Sequence, residues 1–396
     1  MSDPNIEDLK IVVSVHGRWH GFDLADGLYH RGVLARLLTT YPASVAAKFL
    51  PPGVPLMTAP WLELRRRFYD KTGIGGKPDL AIAKSFAGFA CRHAIGKVDV
   101  LVGWSSATLE AIPLAHQAGM KVVIERGSSH IAHQTEVLSE AYQEFGLKFE
   151  ATHPEIIARE EQEYEQADAI AVPTNFAAET FRAHGENMGE NKGLGDKLIV
   201  NPYGVDLLRF SPNPEPLVRD KLRIVFVGGV GIRKGVPWLL RAFEGLSDVA
   251  ELHLIGPVDK DFAKILAGEN LTGVVVRGAV ASNDLADELQ AADIFCLPSL
   301  EEGFPLSLLQ AMASGLPVVT TPEAGAHDIL DHEGEGLIVP SKDVAALHDA
   351  LRQLSEDSDA RHQMARAARA RVEQGYSWDD YIDRAIAAYR MLVEKS

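Results

Sequence analysis

The chain has 396 residues, more than one typical hydrophobic core accommodates, so we expect two domains of about 200 residues each. Its composition, 46% hydrophobic and 24% charged, is that of a globular protein and excludes a disordered or fibrous chain. The formal net charge of −16 argues against a general nucleic-acid-binding protein, because such proteins need a basic surface to meet the phosphates.

Residues 1–10 are polar and acidic, which is not the pattern of a secretory signal peptide. No apolar run along the chain reaches the ~18 residues that a membrane-spanning helix requires. The two cysteines, Cys91 and Cys296, lie in apolar surroundings and are expected to be reduced core thiols. These features predict a cytoplasmic protein, either soluble or bound peripherally to the inner face of a membrane.

Apolar runs and helical stretches alternate through the first half of the chain. The run 10–15 predicts a strand, and a helix over 22–31 follows it, with Gly32 at its end. Further strands are expected at 98–102, 121–125 and 168–172, separated by helical stretches at 105–118, 134–144 and 154–166. This alternation predicts a parallel sheet that is covered by helices on both faces.

Two loops at the carboxyl ends of these strands carry polar side chains. The loop after the first strand contains Gly17 and His20, and the loop after strand 121–125 contains His130 and His133. A lone loop histidine is more often a surface residue, and the second loop also suits a capped helix start. The two histidines of the second loop lie near two glutamates and could instead bind a metal, although a complete ligand spacing is missing.

Residues 61–69 read Trp-Leu-Glu-Leu-Arg-Arg-Arg-Phe-Tyr and are a local maximum of basic charge. They lie within the first 100 residues, where 13 Lys and Arg outnumber 9 Asp and Glu. Aromatic and basic residues at helical spacing suit an anionic membrane surface, so 61–71 is a candidate for peripheral membrane contact. The alternative is a solvated helix face on which arginine stems cover apolar surface.

Residues 200–216 are dense in Pro, Gly and Asn, which is typical of a crossing between domains. A second alternation follows, with strands expected at 223–227, 251–255, 273–276, 293–297 and 316–320 and helices at 236–244, 284–291, 306–314 and 343–355. A last helix is expected over 378–395, beyond Gly375. Because ligands of open parallel sheets bind outside the carboxyl ends of the strands, the site should lie between the two domains.

Residues 226–236 predict a strand, a glycine-rich loop and the start of a helix. The glycines let the backbone approach a ligand closely, and Arg233 and Lys234 in the loop can neutralise a diphosphate. The alternative is a tight turn between strand and helix with solvated cations. The glycine spacing is a poor match to the dinucleotide-binding fingerprint.

Residues 302–319 predict a glycine turn, a short helix and a buried strand. The turn directs backbone N–H groups and a helix N-terminus at whatever lies in front of them, which suits a phosphate. Glu302 in the turn and Gln310 on the helix, eight residues later, can bind hydroxyls on either side of that phosphate. A sugar nucleotide has this layout of ribose, two phosphates and sugar.

This stretch resembles the nucleotide-sugar signature of glycosyltransferase family 4, the group 1 type of retaining transferases with a GT-B fold. In the family, a Glu followed by Gly-Phe precedes a second Glu after seven intervening residues. The chain keeps the first acid as Glu302 and has Gln310 in place of the second, which usually holds the ribose hydroxyls. Gln310 can form hydrogen bonds but lacks the charge-assisted strength of a carboxylate.

The resemblance implies two Rossmann-like, doubly wound parallel-sheet domains that face each other across a cleft. It implies an acceptor-binding domain over 1–205, a linker over 206–218, a nucleotide-sugar-binding domain over 219–375 and a helix over 376–396 that returns to the first domain. The implied reaction is the retaining, metal-independent transfer of a sugar from a nucleotide diphosphate sugar to an acceptor hydroxyl, with no cofactor. The acceptor would be a sugar or lipid-linked sugar in the synthesis of cell-envelope polysaccharide, exopolysaccharide or glycolipid.

The resemblance also implies roles for individual residues. Glu302 would bind a sugar hydroxyl, and His130, with His133 as the second candidate, would position the donor sugar. The donor phosphates would be bound by Arg233, Lys234, Gly17 and the helix start at Leu306 and Ser307. Gln310 and Arg277 would border the nucleotide, and His20 would lie on the acceptor side.

Other acidic positions receive structural interpretations. Asp357 and Asp359 look like a metal-binding Asp-x-Asp pair but fit a helix N-terminus better, and Glu301 is expected to be solvated. Asp328 lies in a turn near the place of the donor sugar in the family, and its role is left open. Two other functions also remain open: a nucleotide-sugar epimerase with the same fold, and a non-catalytic nucleotide-sugar-binding protein, which the glutamine at position 310 motivates.

Overall fold

A computed structural model describes residues 9–149, 152–187, 194–214 and 219–395 of the chain. Within these residues, the strands of a first sheet are β1 (Ile11–Val15), β2 (Leu34–Thr39), β3 (Leu56–Thr58), β4 (Val100–Trp104), β5 (Lys121–Glu125), β6 (Ala169–Val172) and β7 (Leu198–Val200). The strands of a second sheet are β8 (Leu222–Val227), β9 (Ala250–Ile255), β10 (Val274–Gly278), β11 (Ile294–Leu297), β12 (Val318–Thr320) and β13 (Gly336–Ile338).

Helices connect these strands and cover both sheets. The helices of the first half are α1 (Gly21–His30), α2 (Ala43–Ala46), α3 (Pro60–Thr72), α4 (Asp79–His93), α5 (Ile112–Gln117), α6 (Ile131–Glu144), α7 (Pro154–Gln166) and α8 (Asn175–Asn187). The helices of the second half are α9 (Val236–Phe243), α10 (Ala263–Leu266), α11 (Leu285–Gln290), α12 (Leu306–Ala313), α13 (Val344–Glu356), α14 (Ser358–Val372) and α15 (Trp378–Glu394).

The two sheets share one topology. Their strand orders are β3-β2-β1-β4-β5-β6-β7 and β10-β9-β8-β11-β12-β13, and neighbouring strands pair in parallel. Every residue of β1 and of β11 is buried, as expected for strands that are covered on both faces. The order reverses between β1 and β4 in the first sheet and between β8 and β11 in the second, so each domain has a crevice at the carboxyl ends of those strands. The predicted pair of doubly wound parallel-sheet domains is confirmed.

Most of the predicted elements are confirmed within a few residues. The largest difference lies in the predicted helix 105–118, because helix α5 covers only 112–117 of it. The backbone N–H groups of Ser106, Thr108 and Leu109 instead donate to the buried carboxylate of Glu163, which holds this segment as a loop. Helix α14 begins where predicted, since the Asp357 carboxylate accepts a hydrogen bond from the Ala360 N–H. Cys296 is fully buried, whereas Cys91 is partly exposed, and both are free thiols.

The last helix lies on the first domain. Arg31 of α1 forms ion pairs with Asp379 and Asp383 of α15, and a Cβ at Gly27 would meet Ile382 at 2.3 Å. The Val205 N–H donates to the Tyr376 carbonyl, which ties the crossing between the sheets to the start of this helix. Part of the predicted linker, 215–218, lies outside the described residues, as do residues 1–8 of the N-terminal segment. No helix in the described part of the chain is long and apolar enough to cross a bilayer.

Candidate active site

The loops after β8 and β11, residues 228–235 and 298–305, meet at the crevice of the second sheet. The Leu300 N–H donates to the Arg233 carbonyl at 2.9 Å. Gly235, at the start of α9, has a φ of 72°, and a Cβ there would lie 1.9 Å from the Pro298 carbonyl oxygen. Only glycine allows both this left-handed conformation and this close approach. The glycine therefore fixes the distance between the two loops.

Replacing Gly235 with alanine should lower the free energy of unfolding by about 3 kcal/mol or more, because backbone strain and steric overlap add. Gly245 offers a matched control, since it has a φ of 80° and a Cβ there would meet no atom within 4 Å. Gly245→Ala should cost only about 1 kcal/mol. Urea denaturation of both variants measures the difference, and equal costs would contradict the close approach at Pro298.

Two cations and a carboxylate lie together in this crevice. The Lys234 ammonium is 2.5 Å from the Glu302 carboxylate, and the Arg233 guanidinium is 3.4 Å from it. Glu302 is only 6% exposed, so the attraction acts in a poorly solvated place. Burial alone would lower the pKa of Arg233, but the carboxylates of Glu302 and Glu301 raise it above its ordinary value. The structure thus brings together three of the predicted site residues.

Glu301, next to Glu302, joins the two domains. Its carboxylate accepts hydrogen bonds from the Ser128 and Ser129 hydroxyls at 2.5 and 2.7 Å and from the Gln134 amide at 2.8 Å. On the other side, it lies 3.0 Å from the Arg233 Nε. Burial would raise the pKa of this carboxyl, but Arg233 and the three side-chain donors lower it from 4.5 to about 2.

The prediction that Glu301 is solvated is therefore wrong. The side chain is fully buried because the first domain covers it and supplies its hydrogen-bond donors. The sequence did contain the donors, as the Ser128-Ser129 pair and Gln134, but nothing in their spacing links them to position 301 across the chain.

Two more contacts hold the same loop against the first domain. A Cβ at Gly303 would lie 2.1 Å from the Gly127 carbonyl oxygen, and the Thr174 hydroxyl donates to the Gly303 carbonyl at 2.9 Å. Asp328, whose role the sequence left open, accepts hydrogen bonds from the Asn175 N–H and side-chain amide. This aspartate therefore joins the domains.

His20 lies inside the first domain rather than on its surface. Its Nε2 is 3.3 Å from the Glu125 carboxylate, which also accepts a hydrogen bond from the Tyr389 hydroxyl. The imidazole packs against the Tyr203 and Trp104 rings, at centroid distances of 4.1 and 4.9 Å. Its Cε1 faces Gly127, at 3.6 Å from where a Cβ would stand, so His20 lies directly behind the loop that meets Gly303.

Gly17 lies at the carboxyl end of β1, and its carbonyl accepts a hydrogen bond from the Thr39 hydroxyl at 2.6 Å. A Cβ there would lie 2.9 Å from the indole nitrogen of Trp19. Trp19 is 61% exposed and has a φ of 40°, a strained conformation for a residue with a side chain. This loop therefore presents an exposed aromatic ring at the crevice of the first sheet.

His130 has a structural environment. Its Nδ1 caps helix α6 by accepting a hydrogen bond from the Ala132 N–H, and its ring stacks on His184 at 4.7 Å. The remaining ring contacts are Tyr164 and Phe181 of the same domain. These contacts turn the imidazole into the first domain, behind Ser128 and Ser129. His133 lies near His184 as well, at 6.1 Å between ring centroids. The predicted donor contact of His130 stays a prediction.

The buried His130 should make the protein sensitive to acid. Burial, and then the charges of His184, Arg126 and His133, lower its pKa from 6.5 to about 3. Between pH 6.5 and about pH 3, this imidazole is therefore protonated in the unfolded chain and neutral in the folded chain. The free energy of unfolding consequently falls as the pH falls through this range. Between pH 7 and pH 5 the loss should be about 2 kcal/mol.

His130→Asn keeps an N-cap residue but removes the titration, so its unfolding free energy should fall less over this pH range. The exposed His362 is the matched control, and His362→Asn should retain the full acid dependence. Denaturation at several pH values tests this assignment, and identical slopes for the wild type and His130→Asn would contradict it.

A groove of about 740 Å³ lies beside this site, between the domains. Leu306 and Gln310 of α12 line one wall, and Arg18, Phe22 and Asp23 of the first domain line the other. The first turn of α12, with Leu306 and Ser307, also carries the positive end of the helix dipole. The predicted nucleotide residue Gln310 therefore borders an open groove. Arg18 and Asp23 of that groove were missed, because they carry no motif signal of their own.

Arg277 lies apart from this groove. It stands at the carboxyl end of the edge strand β10 and forms an ion pair with Glu288. Its predicted place beside the nucleotide stays a prediction. Among the described residues, no group of three or more His, Cys, Asp or Glu side chains is arranged to hold a metal ion. Metal independence also stays a prediction, to be tested by chelation.

Part of the chain is similar in sequence to known glycosyltransferases. Residues 221–357 match the family model described as Glycosyl transferases group 1. A protein of Escherichia coli (strain K12), provisionally named as the colanic acid biosynthesis glycosyltransferase WcaL, is 30% identical over 206 residues, which are 49% of this chain and 50% of that protein. The D-inositol 3-phosphate glycosyltransferase of Xylanimonas cellulosilytica is 29% identical over 60% of each chain. The matched region thus spans about half to 60% of the length of these curated relatives.

Solved structures share the whole fold. Sucrose-phosphate synthase from Thermosynechococcus elongatus superposes with a TM-score of 0.75 at 20% identity, over 98% of this chain and 99% of that one. HepE of Anabaena in complex with UDP superposes with a TM-score of 0.69 at 14% identity, over 97% of this chain and 100% of that one. At these identities the similarity establishes the fold alone. Residues 221–357 of the second domain are therefore similar to the group 1 glycosyltransferases, within a chain whose two domains have the GT-B fold.

Proposed function

We propose that the chain is a retaining, metal-independent glycosyltransferase that moves a sugar from a nucleotide diphosphate sugar to an acceptor hydroxyl. The observation that carries this proposal is the pair of cations, Arg233 and Lys234, held by Glu302 and Glu301 at the crevice of the second sheet. Two fixed cations beside a helix N-terminus form a site for a diphosphate. The group 1 family match of the second domain supports the same interpretation.

In the proposed reaction, the bond between the sugar C1 and the phosphate oxygen breaks, and a bond from C1 to the acceptor oxygen forms on the same face. The departing phosphate takes the proton of the acceptor hydroxyl. Lys234, Arg233 and the first turn of α12, at Leu306 and Ser307, stabilise the charge that grows on the diphosphate. Glu302, now bound to the two cations, would bind a sugar hydroxyl when the diphosphate takes its place.

The first domain supplies the other half of the proposed site. Trp19 and Gly17 lie in the loop that would approach the donor phosphates and the acceptor, and His20 supports Gly127 from behind. We assign His130 a positioning role, since its ring fixes the start of α6 behind Ser128 and Ser129. Contact between the domains around Gly303 excludes water from the donor sugar, which favours transfer over hydrolysis.

The donor and the biological setting are proposed by analogy. Structural relatives bind UDP and UDP-glucose, which supports a nucleotide sugar as donor and makes UDP-sugars the first to test. The relative named for colanic acid biosynthesis supports an acceptor in the synthesis of cell-envelope polysaccharide. A sugar or lipid-linked sugar is the proposed acceptor class.

A panel of UDP-, GDP- and ADP-sugars tests the proposal, with thermal unfolding and slow donor hydrolysis as readouts, each with and without EDTA. We expect one nucleotide to raise the melting temperature selectively and its sugar to be hydrolysed at the same rate in EDTA. Loss of hydrolysis in EDTA would overturn metal independence. Absence of any shift across the panel would overturn the proposed donor site.

The glutamine at position 310 sets the strength of the nucleotide contact in this proposal. Gln310→Glu should lower the dissociation constant of the nucleotide about tenfold, because a carboxylate binds ribose hydroxyls through charge-assisted hydrogen bonds. Calorimetric titration measures the effect. Unchanged affinity would show that the side chain at position 310 does not contact the ribose. A large gain in turnover would instead indicate that the natural chain is weakened for catalysis, or that it binds a nucleotide sugar without transferring it.

A further inference from the structure

Helix α3, Pro60–Thr72, presents an apolar face to solvent. Trp61, Leu64 and Phe68 are 53%, 65% and 57% exposed, and their spacing of three and four residues puts them on one side of the helix. Ile74, just beyond the end of the helix, is 66% exposed. We call these four residues the α3 stripe. Singly exposed apolar residues are normal, but a contiguous row of large ones marks an interaction surface.

The stripe belongs to a well-anchored helix. On the opposite face, Leu62 and Glu63 are buried, and the Glu63 carboxylate is neutralised by Arg66 and Arg67. The Trp61 ring also packs against the Phe89 ring of helix α4 in a T-shaped arrangement, with 6.0 Å between the centroids. The buried face is therefore already occupied. The stripe points outward because of this packing, so its exposure is a property of the folded domain.

The charge around the stripe selects its partner. Arg65 and Lys71 are exposed on the same helix, and the whole segment lies within the first 100 residues, where 13 Lys and Arg outnumber 9 Asp and Glu although the chain as a whole is acidic. Against a second copy of the chain, the stripe would bring these basic residues together, which is unfavourable. Against an anionic lipid surface, the same residues would be attracted. The aromatic and basic composition is that of a helix that lies in the interface plane of a bilayer.

We propose that the α3 stripe docks the first domain on the surface of an anionic lipid bilayer. Trp61, Leu64, Phe68 and Ile74 would enter the boundary between headgroups and acyl chains, while Arg65 and Lys71 would contact the anionic headgroups. The docking itself does not depend on the catalytic proposal, because it rests on this helix alone.

The position of the stripe bears on the acceptor. Arg66 of α3 lies near enough to His16, at the carboxyl end of β1, for its charge to add to burial in lowering the pKa of His16 to about 4. The His16 ring also approaches Phe86 of α4. Helix α3 therefore lies beside the crevice of the first sheet, with its buried side towards His16 and the stripe on its outer side. If the proposed function holds, this geometry favours an acceptor that is itself anchored in the bilayer.

Vesicle co-sedimentation of the full chain, without nucleotide sugar, tests the docking. The probes are vesicles of phosphatidylcholine alone and vesicles that also contain about 30 mol% phosphatidylglycerol. We expect binding to the anionic vesicles only, weakened by high salt. The triple variant Trp61→Ser, Leu64→Ser, Phe68→Ser should bind at least about tenfold more weakly. Met391→Ser, at a position 55% exposed on α15, is the matched control and should bind as the wild type does.

Brominated lipids provide a second readout that does not depend on the loss of binding. Trp61→Phe should still sediment with the vesicles but should lose most of the fluorescence quenching that brominated acyl chains cause in the wild type. Equal binding by the wild type and the triple variant, or no binding to anionic vesicles, would overturn the proposal. So would wild-type self-association that the triple variant abolishes, because the stripe would then be a contact between copies. Donor hydrolysis in solution, measured in parallel, tests the proposed function separately from the docking.

Discussion

Replacing Lys234 with alanine should lower the turnover number for sugar transfer by about 100- to 1,000-fold, the effect of removing one preorganised charge from a leaving-group site. The Lys234 ammonium lies within 2.5 Å of Glu302, and its side chain is only 16% exposed, so water cannot fully replace it. The loss should fall mainly on kcat, because the charge on the diphosphate is larger in the transition state than in the ground state. Single-turnover hydrolysis of the donor measures this loss of rate without an acceptor.

The control for Lys234→Ala is Lys264→Ala, an exposed lysine of helix α10 in the same domain. This variant changes the net charge of the domain by the same amount as Lys234→Ala. It should keep full activity, because Lys264 is exposed to solvent. Thermal unfolding of both variants separates activity from folding, because Lys234→Ala also leaves the Glu302 carboxylate with fewer positive partners. A folded Lys234→Ala protein with unchanged kcat would contradict the assignment of the diphosphate site.

Replacing Glu301 with glutamine should destabilise the contact between the domains by about 3 kcal/mol at pH 7, which is what a carboxyl pKa lowered from 4.5 to about 2 represents. Glutamine cannot balance the Arg233 charge, and its amide nitrogen would face the donors that Glu301 now accepts from. The free Arg233 should then be misplaced, so donor hydrolysis should also fall, by about tenfold. Urea denaturation and the hydrolysis assay measure the two effects.

The pH dependence of the unfolding free energy of Glu301→Gln distinguishes the loss of the carboxylate charge from a simple loss of packing. A carboxyl whose pKa is lowered by folding contributes stability that is present above pH 4.5 and is lost as the pH falls towards 2. The difference in unfolding free energy between the wild type and Glu301→Gln should therefore become smaller as the pH falls towards 2. Glu356, an exposed residue paired with Arg352, is the control, and Glu356→Gln should change stability by no more than about 0.5 kcal/mol. A gap that stays constant with pH would contradict the assignment.

The regular elements of this fold were predictable because each is encoded locally. Strand 121–125 and helix 154–166 are where the apolar patterns put them, since buried parallel strands and amphipathic helices leave distinct periodicities. Strands β2, β3, β7 and β13 were not predicted. The last three have only three residues each, which carry too little pattern. The segment 105–108 was misjudged as helical, since only the distant Glu163 draws its N–H groups out of a helix.

The residues of the candidate site were predictable where each belongs to a motif that lies within a single loop. Arg233, Lys234 and Glu302 come together because two neighbouring strands, β8 and β11, each end in a loop at the same crevice. Glu301 was not predictable, because the serine and glutamine donors that cover it lie more than 160 residues away, in the other domain. The environment of His130 was hidden for the same reason, since its ring contacts come from α7 and α8. Local pattern does not report which distant helices cover a side chain.

The most direct test of the central claim compares a nucleoside diphosphate with the monophosphate of the same base, by calorimetric titration of the wild type and Lys234→Ala. If the two cations of the glycine-rich loop bind the second phosphate, the wild type should bind the diphosphate at least about tenfold more tightly. Lys234→Ala should lose most of that preference and keep its affinity for the monophosphate. Equal affinity of the wild type for both nucleotides would contradict a diphosphate site at Arg233 and Lys234.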